Sequence, residues 1–304
     1  MPSPSKIKGD RGLTTRMIST IFLLGLLYVV FVGVLVALKI SIILIAVIAI
    51  GVFLVQYFFT DRIALYSMGG RIVTREQAPQ LHGIVDRLCA MADMAKPQVA
   101  IAQSDIPNAF ATGRNQAHAV VCVTSGIMRR LTEPELEAVL AHELSHVAHR
   151  DVAVMTIASF LGILAGLLTR VLFYVGLFGG FGGDRDEGGA LPELAILAFS
   201  AIVYAVSFLL IRTLSRYREL AADRSGALLI GQPSRLISAL QKVTGEISRI
   251  PTRDLRKAEH YNAFYFAPAL TKGFSVSKLF ATHPPLEVRI AALAKLEAEM
   301  GKRV

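Results

Sequence analysis

Two histidines four residues apart, with a glutamate following the first, are the side chains in this 304-residue chain best suited to chemistry: His142-Glu143-Leu144-Ser145-His146. Residues four apart share one face of a helix, so both imidazoles can reach a single ion. Glu143 projects beside them, where it can take a proton from a water that the ion acidifies. The pattern therefore predicts one Zn2+ per subunit, with His142 and His146 as ligands and Glu143 as general base. The alternative is two unrelated histidines on an amphipathic helix, and in that case Glu143 has no task.

A catalytic zinc needs a third protein ligand and one open position. A third histidine six residues beyond the second, with a glycine midway, is one solution, but those two positions hold Val152 and His149. A distant glutamate is the other common solution, and Arg218-Glu219-Leu220-Ala221-Ala222-Asp223 supplies one on a second predicted helix. The four-residue step puts Glu219 and Asp223 on one face. Glu219 can bind the ion while Asp223 accepts a hydrogen bond from the far nitrogen of a ligand histidine. The competing reading pairs both acids with Arg216, Arg218 and Arg224. His149 lies on the same stripe as His142, but about 10 Å along the helix axis at 1.5 Å per residue, so it is expected not to be a ligand.

Several elements must position these groups. Thr132, with Glu135 three residues later, forms a capping-box pattern that opens the HExxH helix. Residues 75–94 carry Leu81, Ile84, Val85 and Leu88 at helical spacing. Residues 98–103 and 118–124 read as short strands, and 108–113 as another between them. Helices are expected over 212–230, 234–247 and 285–300, with a loop-rich stretch over 251–278.

The rest is hydrocarbon. Apolar residues make up 53% of the chain and its mean hydropathy is +0.53, which is more than an ordinary soluble globule carries. From Met17 to Phe59 the only charged residue is Lys39, so the stretch is long enough for two crossings with a turn at Lys39-Ile40-Ser41. A second apolar region, 152–211, is interrupted by a glycine-rich acidic loop at 179–190, and Arg170 leaves open whether this pair fully spans. The expected organisation is a basic tail 1–16, a transmembrane hairpin 17–59, a first catalytic half 60–151, a second membrane hairpin 152–211 and a second catalytic half 212–304. Basic residues flank the ends of both apolar regions, which places the ends of each hairpin on the cytoplasmic side. The net charge of +9 fits those flanks better than nucleic acid, because no zinc-finger or RNA-type motif accompanies it. Cys89 and Cys122 form no disulfide or metal spacing.

With these motifs in place, the chain resembles the HtpX-type membrane zinc endopeptidases, relatives of the CAAX prenyl proteases. The resemblance rests on the N-terminal apolar hairpin, Asn108-Ala109-Phe110-Ala111, the HExxH with Asp151, Glu219-Leu220-Ala221-Ala222-Asp223, and Thr282-His283-Pro284-Pro285-Leu286-Glu287-Val288-Arg289-Ile290. It implies an α+β, multi-pass membrane protein with a gluzincin-like, mostly helical protease domain carrying a small sheet. It also implies hydrolysis of misfolded or damaged membrane proteins, with the active site and both termini on the cytoplasmic side of the cell membrane. Asn108, Ala109, Phe110 and Ala111 then belong to an edge strand that pairs with the substrate backbone. Asp151 either backs a ligand or is a helix-end charge. His283 is a catalytic candidate and Arg289 a second candidate for stabilising the transition state, with Tyr217 and Tyr261 as weaker ones; the alternative is a capped helix start, with Arg289 bridging to acids such as Glu287 or those on the Glu219 helix. CAAX-type processing, intramembrane cleavage and a non-catalytic metal-binding scaffold are the alternatives. The sequence gives no oligomeric state.

Overall fold

The computed structural model describes residues 11–37, 42–113, 115–178, 190–249 and 283–301. The basic tail up to residue 10, the turn at 39–41, nearly all of the acidic loop and the 251–278 stretch with Tyr261 lie outside the described residues. The chain divides into two units. One contains 59–153 and 215–304; the other contains 16–58 and 154–214.

The first unit is built on a four-stranded sheet of order β1-β2-β4-β3, formed by β1 (Gly70–Ile72), β2 (Gln98–Ala102), β3 (Ala109–Thr112) and β4 (Val120–Thr124). β2 and β4 run parallel, with Ala100 opposite Cys122, while β1 and β3 flank them antiparallel. β4 reads Val-Val-Cys-Val-Thr and is buried throughout, as a central strand covered on both faces should be. β3 ends the sheet, so one of its backbone edges is free of strand partners among the described residues. Helices α3 (Pro79–Ala92), α4 (Ser125–Arg130), α5 (Glu133–Ala148), α8 (Pro233–Arg249) and α9 (Leu286–Gly301) pack with this sheet around one apolar core. Leu81, Leu88, Ile127, Leu140, Leu144, Leu236 and Leu240 are fully buried members of it.

The HExxH motif lies on α5, which starts where its cap predicts. Glu135 accepts from the Thr132 N–H at 2.9 Å, and acidic residues fill the first turn. The same carboxylate accepts from Ser238 Oγ at 2.6 Å and from Lys242 Nζ at 2.8 Å, tying the start of α5 to α8. Burial alone would raise this carboxyl, but Lys242, Ser238 and Thr132 hold it at about 2. Because the folded value is depressed, its contribution is present above the ordinary glutamate range and fades as pH falls from about 4.3 towards 2. Glu135→Ala is expected to cost about 1–3 kcal/mol at neutral pH, with the deficit shrinking below pH ~4. Urea unfolding of both proteins in detergent at about pH 7 and about pH 3 checks this. A deficit that is equal at the two pH values would remove the ion pair from the account. α5 ends at Ala148 with His149 as its cap, Arg150 takes a left-handed φ of 55°, and α6 (Asp151–Phe178) begins at the next residue.

The second unit holds α1 (Arg11–Ala37) from residue 16, α2 (Ile42–Ser67) up to residue 58, α6 from residue 154 and the first half of α7 (Ala190–Ile230). Ile18, Phe22, Val29, Ile43 and Ile202 are large apolar side chains left exposed, which suits lipid rather than water. Phe31, Leu35, Leu164, Ala165 and Val203 form its centre. Several hydroxyls in this unit bond to main-chain carbonyls: Ser207 and Thr169 to those one turn back, and Tyr28 to that of Ile157 on another helix. Gly166 sets the spacing of α6 on α7, because a Cβ there would come within 3.1 Å of the Tyr204 ring. Among the described residues, Gly12–Ala37 and Leu194–Ile230 are each long and apolar enough to cross a bilayer.

One boundary differs from the sequence expectation. Composition predicts a membrane segment ending at Ile211 and a separate helix beginning at Arg212, but α7 runs 41 residues without a break. Arginine is a strong helix former, and no Gly or Pro lies between Glu193 and Ser225 to interrupt the backbone.

Candidate metal centre

Three ligand atoms converge in the first unit. His142, His146 and Glu219 each offer one within 4.8 Å of the others. His142 Nε2 and His146 Nε2 are 3.1 Å apart, His146 Nε2 lies 3.3 Å from Glu219 Oε1, and His142 Nε2 lies 3.7 Å from Glu219 Oε2. Ligands about 2.0–2.1 Å from a tetrahedral ion would be about 3.3 Å from each other, so the triangle has the right size. Two lone-pair nitrogens at this distance with no ion between them would repel.

The far side of each imidazole supports the same reading. His142 Nδ1 lies 2.9 Å from Asp223 Oδ1, and His146 Nδ1 lies 2.5 Å from Asp151 Oδ2. A carboxylate at Nδ1 keeps the proton there and leaves Nε2 as the lone pair a metal needs. Glu219 is 7% exposed, and its Oε2 is 2.8 Å from His283 Nδ1. A carboxylate this deeply buried is expensive unless cationic partners complete it. The residues fit a bound ion.

The helices bring these groups together by close approach. α7 crosses α5 at Gly226, where a Cβ would come within 2.8 Å of the His142 backbone nitrogen. Only a residue without a side chain lets α7 come near enough for Glu219 and Asp223, two turns and one turn earlier, to reach the two histidines. Gly226→Ala should cost about 1–3 kcal/mol of overpacking and weaken metal binding with it. Competition with a chelator measures that loss; unchanged affinity would mean the crossing has slack.

Glu143 sits outside the ligand triangle. It is 4% exposed, and the Ala111 N–H on β3 donates to its carboxylate. Burial pushes Glu143 up to about 8; the Glu219 charge acts in the same direction, while His146, Ala111 and Arg289 oppose it. The general-base candidate and the sheet edge therefore face one another, and α5 packs directly on β3.

The remaining predicted site residues fall around this group. Asp151 is on the His146 ring and Asp223 on the His142 ring, as described. Asn108, at the entry to β3, is fully buried, and its N–H donates to Thr124 Oγ1 at 2.9 Å. Ala109 and Phe110 are buried and Ala111 is partly exposed. His283 is beside Glu219. Arg289 is fully buried, and its Nε and Nη2 donate to Asp223 at 2.7 and 2.6 Å, with Nη1 3.8 Å from Glu219 Oε2. Its guanidinium thus holds the carboxylate behind His142. His149, the cap residue of α5, is exposed and is not a member of the group His142, His146 and Glu219.

Known proteins resemble this chain over most of its length. Residues 75–297 match Peptidase family M48. Protease HtpX homolog 1 of Streptomyces coelicolor is 59% identical over 98% of this chain and 97% of its own length. The Protease HtpX homolog of Moorella thermoacetica is 51% identical over 98% and 99%. The crystal structure of S. mikatae Ste24p superposes with a TM-score of 0.49 at 17% identity, covering 93% of this chain and 66% of that one. The chain belongs to peptidase family M48 and, within it, to the HtpX-type membrane proteases.

Proposed function

We propose that this protein is a zinc metalloendopeptidase that hydrolyses peptide bonds of misfolded or damaged membrane proteins at the cytoplasmic face. The observation that carries the reading is the triangle of His142, His146 and Glu219 with Glu143 alongside. Imidazole and carboxylate ligands held at tetrahedral spacing suit zinc, and neither cysteine belongs to the group. Zinc, when bound, supplies Lewis acidity towards a peptide carbonyl and towards water.

The chain's own residues do the rest. The free edge of β3 pairs with an extended substrate, which recognises backbone and tolerates many side chains, as a quality-control protease requires. Glu143, which the charge of a bound zinc would return from its raised value to the ionised form, takes the proton of the attacking water and passes it to the leaving amine nitrogen. His283 donates towards the carbonyl oxygen as negative charge grows there. What supports this role is its burial beside Glu219, with no hydrogen-bond partner for Nε2 among the described residues. Arg289 keeps Asp223 in place, and Asp151 and Asp223 fix the histidine tautomers.

α1 with α2, and α6 with the apolar half of α7, are read as two hairpins whose ends face the cytoplasm. A cysteine introduced at position 185 should be labelled from outside the cell, and labelling from the cytoplasm would reverse the topology. For the activity itself, the full chain in detergent is stripped with a chelator and offered an unfolded membrane protein. Cleavage should vanish and return with one equivalent of zinc. Cleavage that survives complete stripping would sink the metal mechanism.

A further inference from the structure

Arg218 is 4% exposed, and neither the ligand triangle nor the proton transfer uses it. A buried guanidinium is costly unless it is paired and bonded. Its Nη1 donates to the main-chain carbonyl of Asp151 at 2.6 Å, and its Nη2 lies 2.5 Å from Asp151 Oδ2. The same Oδ2 is 2.5 Å from His146 Nδ1. One carboxylate oxygen therefore receives both a guanidinium and a ligand imidazole.

The second bond is the informative one. Neutralising Asp151 would need only its carboxylate, yet Arg218 also grips the carbonyl of the same residue. Asp151 follows Arg150, whose φ of 55° turns the chain out of α5. Residues with side chains rarely adopt that conformation, so the position of residue 151 is not fixed by local preference. Holding its carbonyl and carboxylate together fixes the direction from which Oδ2 meets His146. On the other ligand the fold builds the same series, with Arg289 on Asp223 and Asp223 on His142. Because Arg218 and Glu219 are consecutive on α7, they point about 100° apart. That helix thus meets the ion once directly and once through Asp151.

We propose that Arg218 is a positioning residue for the metal ion, acting through Asp151 to hold the His146 proton on Nδ1 and aim Nε2 at the ion. The proposal rests on the reading of His142, His146 and Glu219 as metal ligands.

The test uses the full chain in detergent, with Zn2+ affinity from chelator competition and the visible spectrum of the Co2+-loaded protein. Arg218→Gln should weaken Zn2+ binding about 10–100-fold and alter the Co2+ spectrum, as loss of an outer partner does. Arg218→Lys should fall between the two, because a single ammonium lacks the planar fork that spans both acceptors. In an Asp151→Asn background, Arg218→Gln should cost less than about twofold more, the mark of two residues acting as one unit. Wild-type affinity in Arg218→Gln, or losses that multiply with Asp151→Asn, would overturn the proposal. Should Arg218→Gln fail to fold, Arg218→Lys decides: weaker Zn2+ binding sustains the proposal and wild-type binding overturns it. A wild-type chain that binds no Zn2+ would instead overturn the metal reading on which the proposal stands.

Discussion

Glu143→Gln is expected to lower peptide hydrolysis about 10²–10⁴-fold while the protein keeps its full complement of metal. The two halves of this result come from separate features of the site. Glutamine matches glutamate in shape and can still accept from the Ala111 N–H, so the packing of α5 on β3 should persist. What it cannot do is take up a proton and release it to the leaving amine. The ligand group is His142, His146 and Glu219, so the metal should not notice the change. Metal content and cleavage of an unfolded membrane substrate, measured on one preparation, check both halves. Retained cleavage would remove Glu143 from the mechanism, and lost metal would make it a ligand.

Glu219→Ala should behave in the opposite way, losing the metal and the activity with it. Structural zinc sites with four ligands bind with about 10–16 kcal/mol, or roughly 3 kcal/mol per ligand, so the loss should be on the order of 10²-fold in affinity. The change also leaves His283 and the Nη1 side of Arg289 facing a void where the carboxylate stood. His283→Ala provides the contrast: metal retained, kcat reduced and KM little changed, if its work is confined to the transition state. Chelator competition and steady-state kinetics on the two variants separate the roles. Full metal occupancy in Glu219→Ala would send the third ligand elsewhere.

Much of this site could be read from local spacing. The four-residue step of His142 and His146 and the repeated step of Glu219 and Asp223 each define one helical face, and neither needs tertiary information. The cap at Thr132 and Glu135 likewise fixes the start of α5 from sequence alone. β4 was legible as an unbroken Val-rich run. The place of β3 at the sheet edge came only with the family resemblance, because strand order depends on long-range pairing.

Other features were hidden for physical reasons. From spacing alone Arg218 reads as a partner of Glu219 and Asp223 or as a basic flank of the membrane segment. The burial of Arg218 depends on Asp151, 67 positions away. Arg289 reads from the sequence either as a donor for the reaction or as a bridge to acids such as those on the Glu219 helix, and only the structure gives Asp223 as its partner. Gly226 carried a faint signal, since Ala222 and Gly226 place small residues one turn apart, but what they approach lies on another helix. The continuity of α7 was obscured by a change from apolar to basic composition, which alters the solvent a helix prefers without altering its backbone.

X-ray absorption on the zinc-loaded wild-type chain in detergent reads the ligands of the ion that His142, His146 and Glu219 are proposed to hold. Two imidazoles and oxygen ligands at about 2.0–2.2 Å are expected, with no sulfur. A sulfur shell near about 2.3 Å, three or more imidazoles, or the same spectrum from Glu219→Ala would contradict that ligand set.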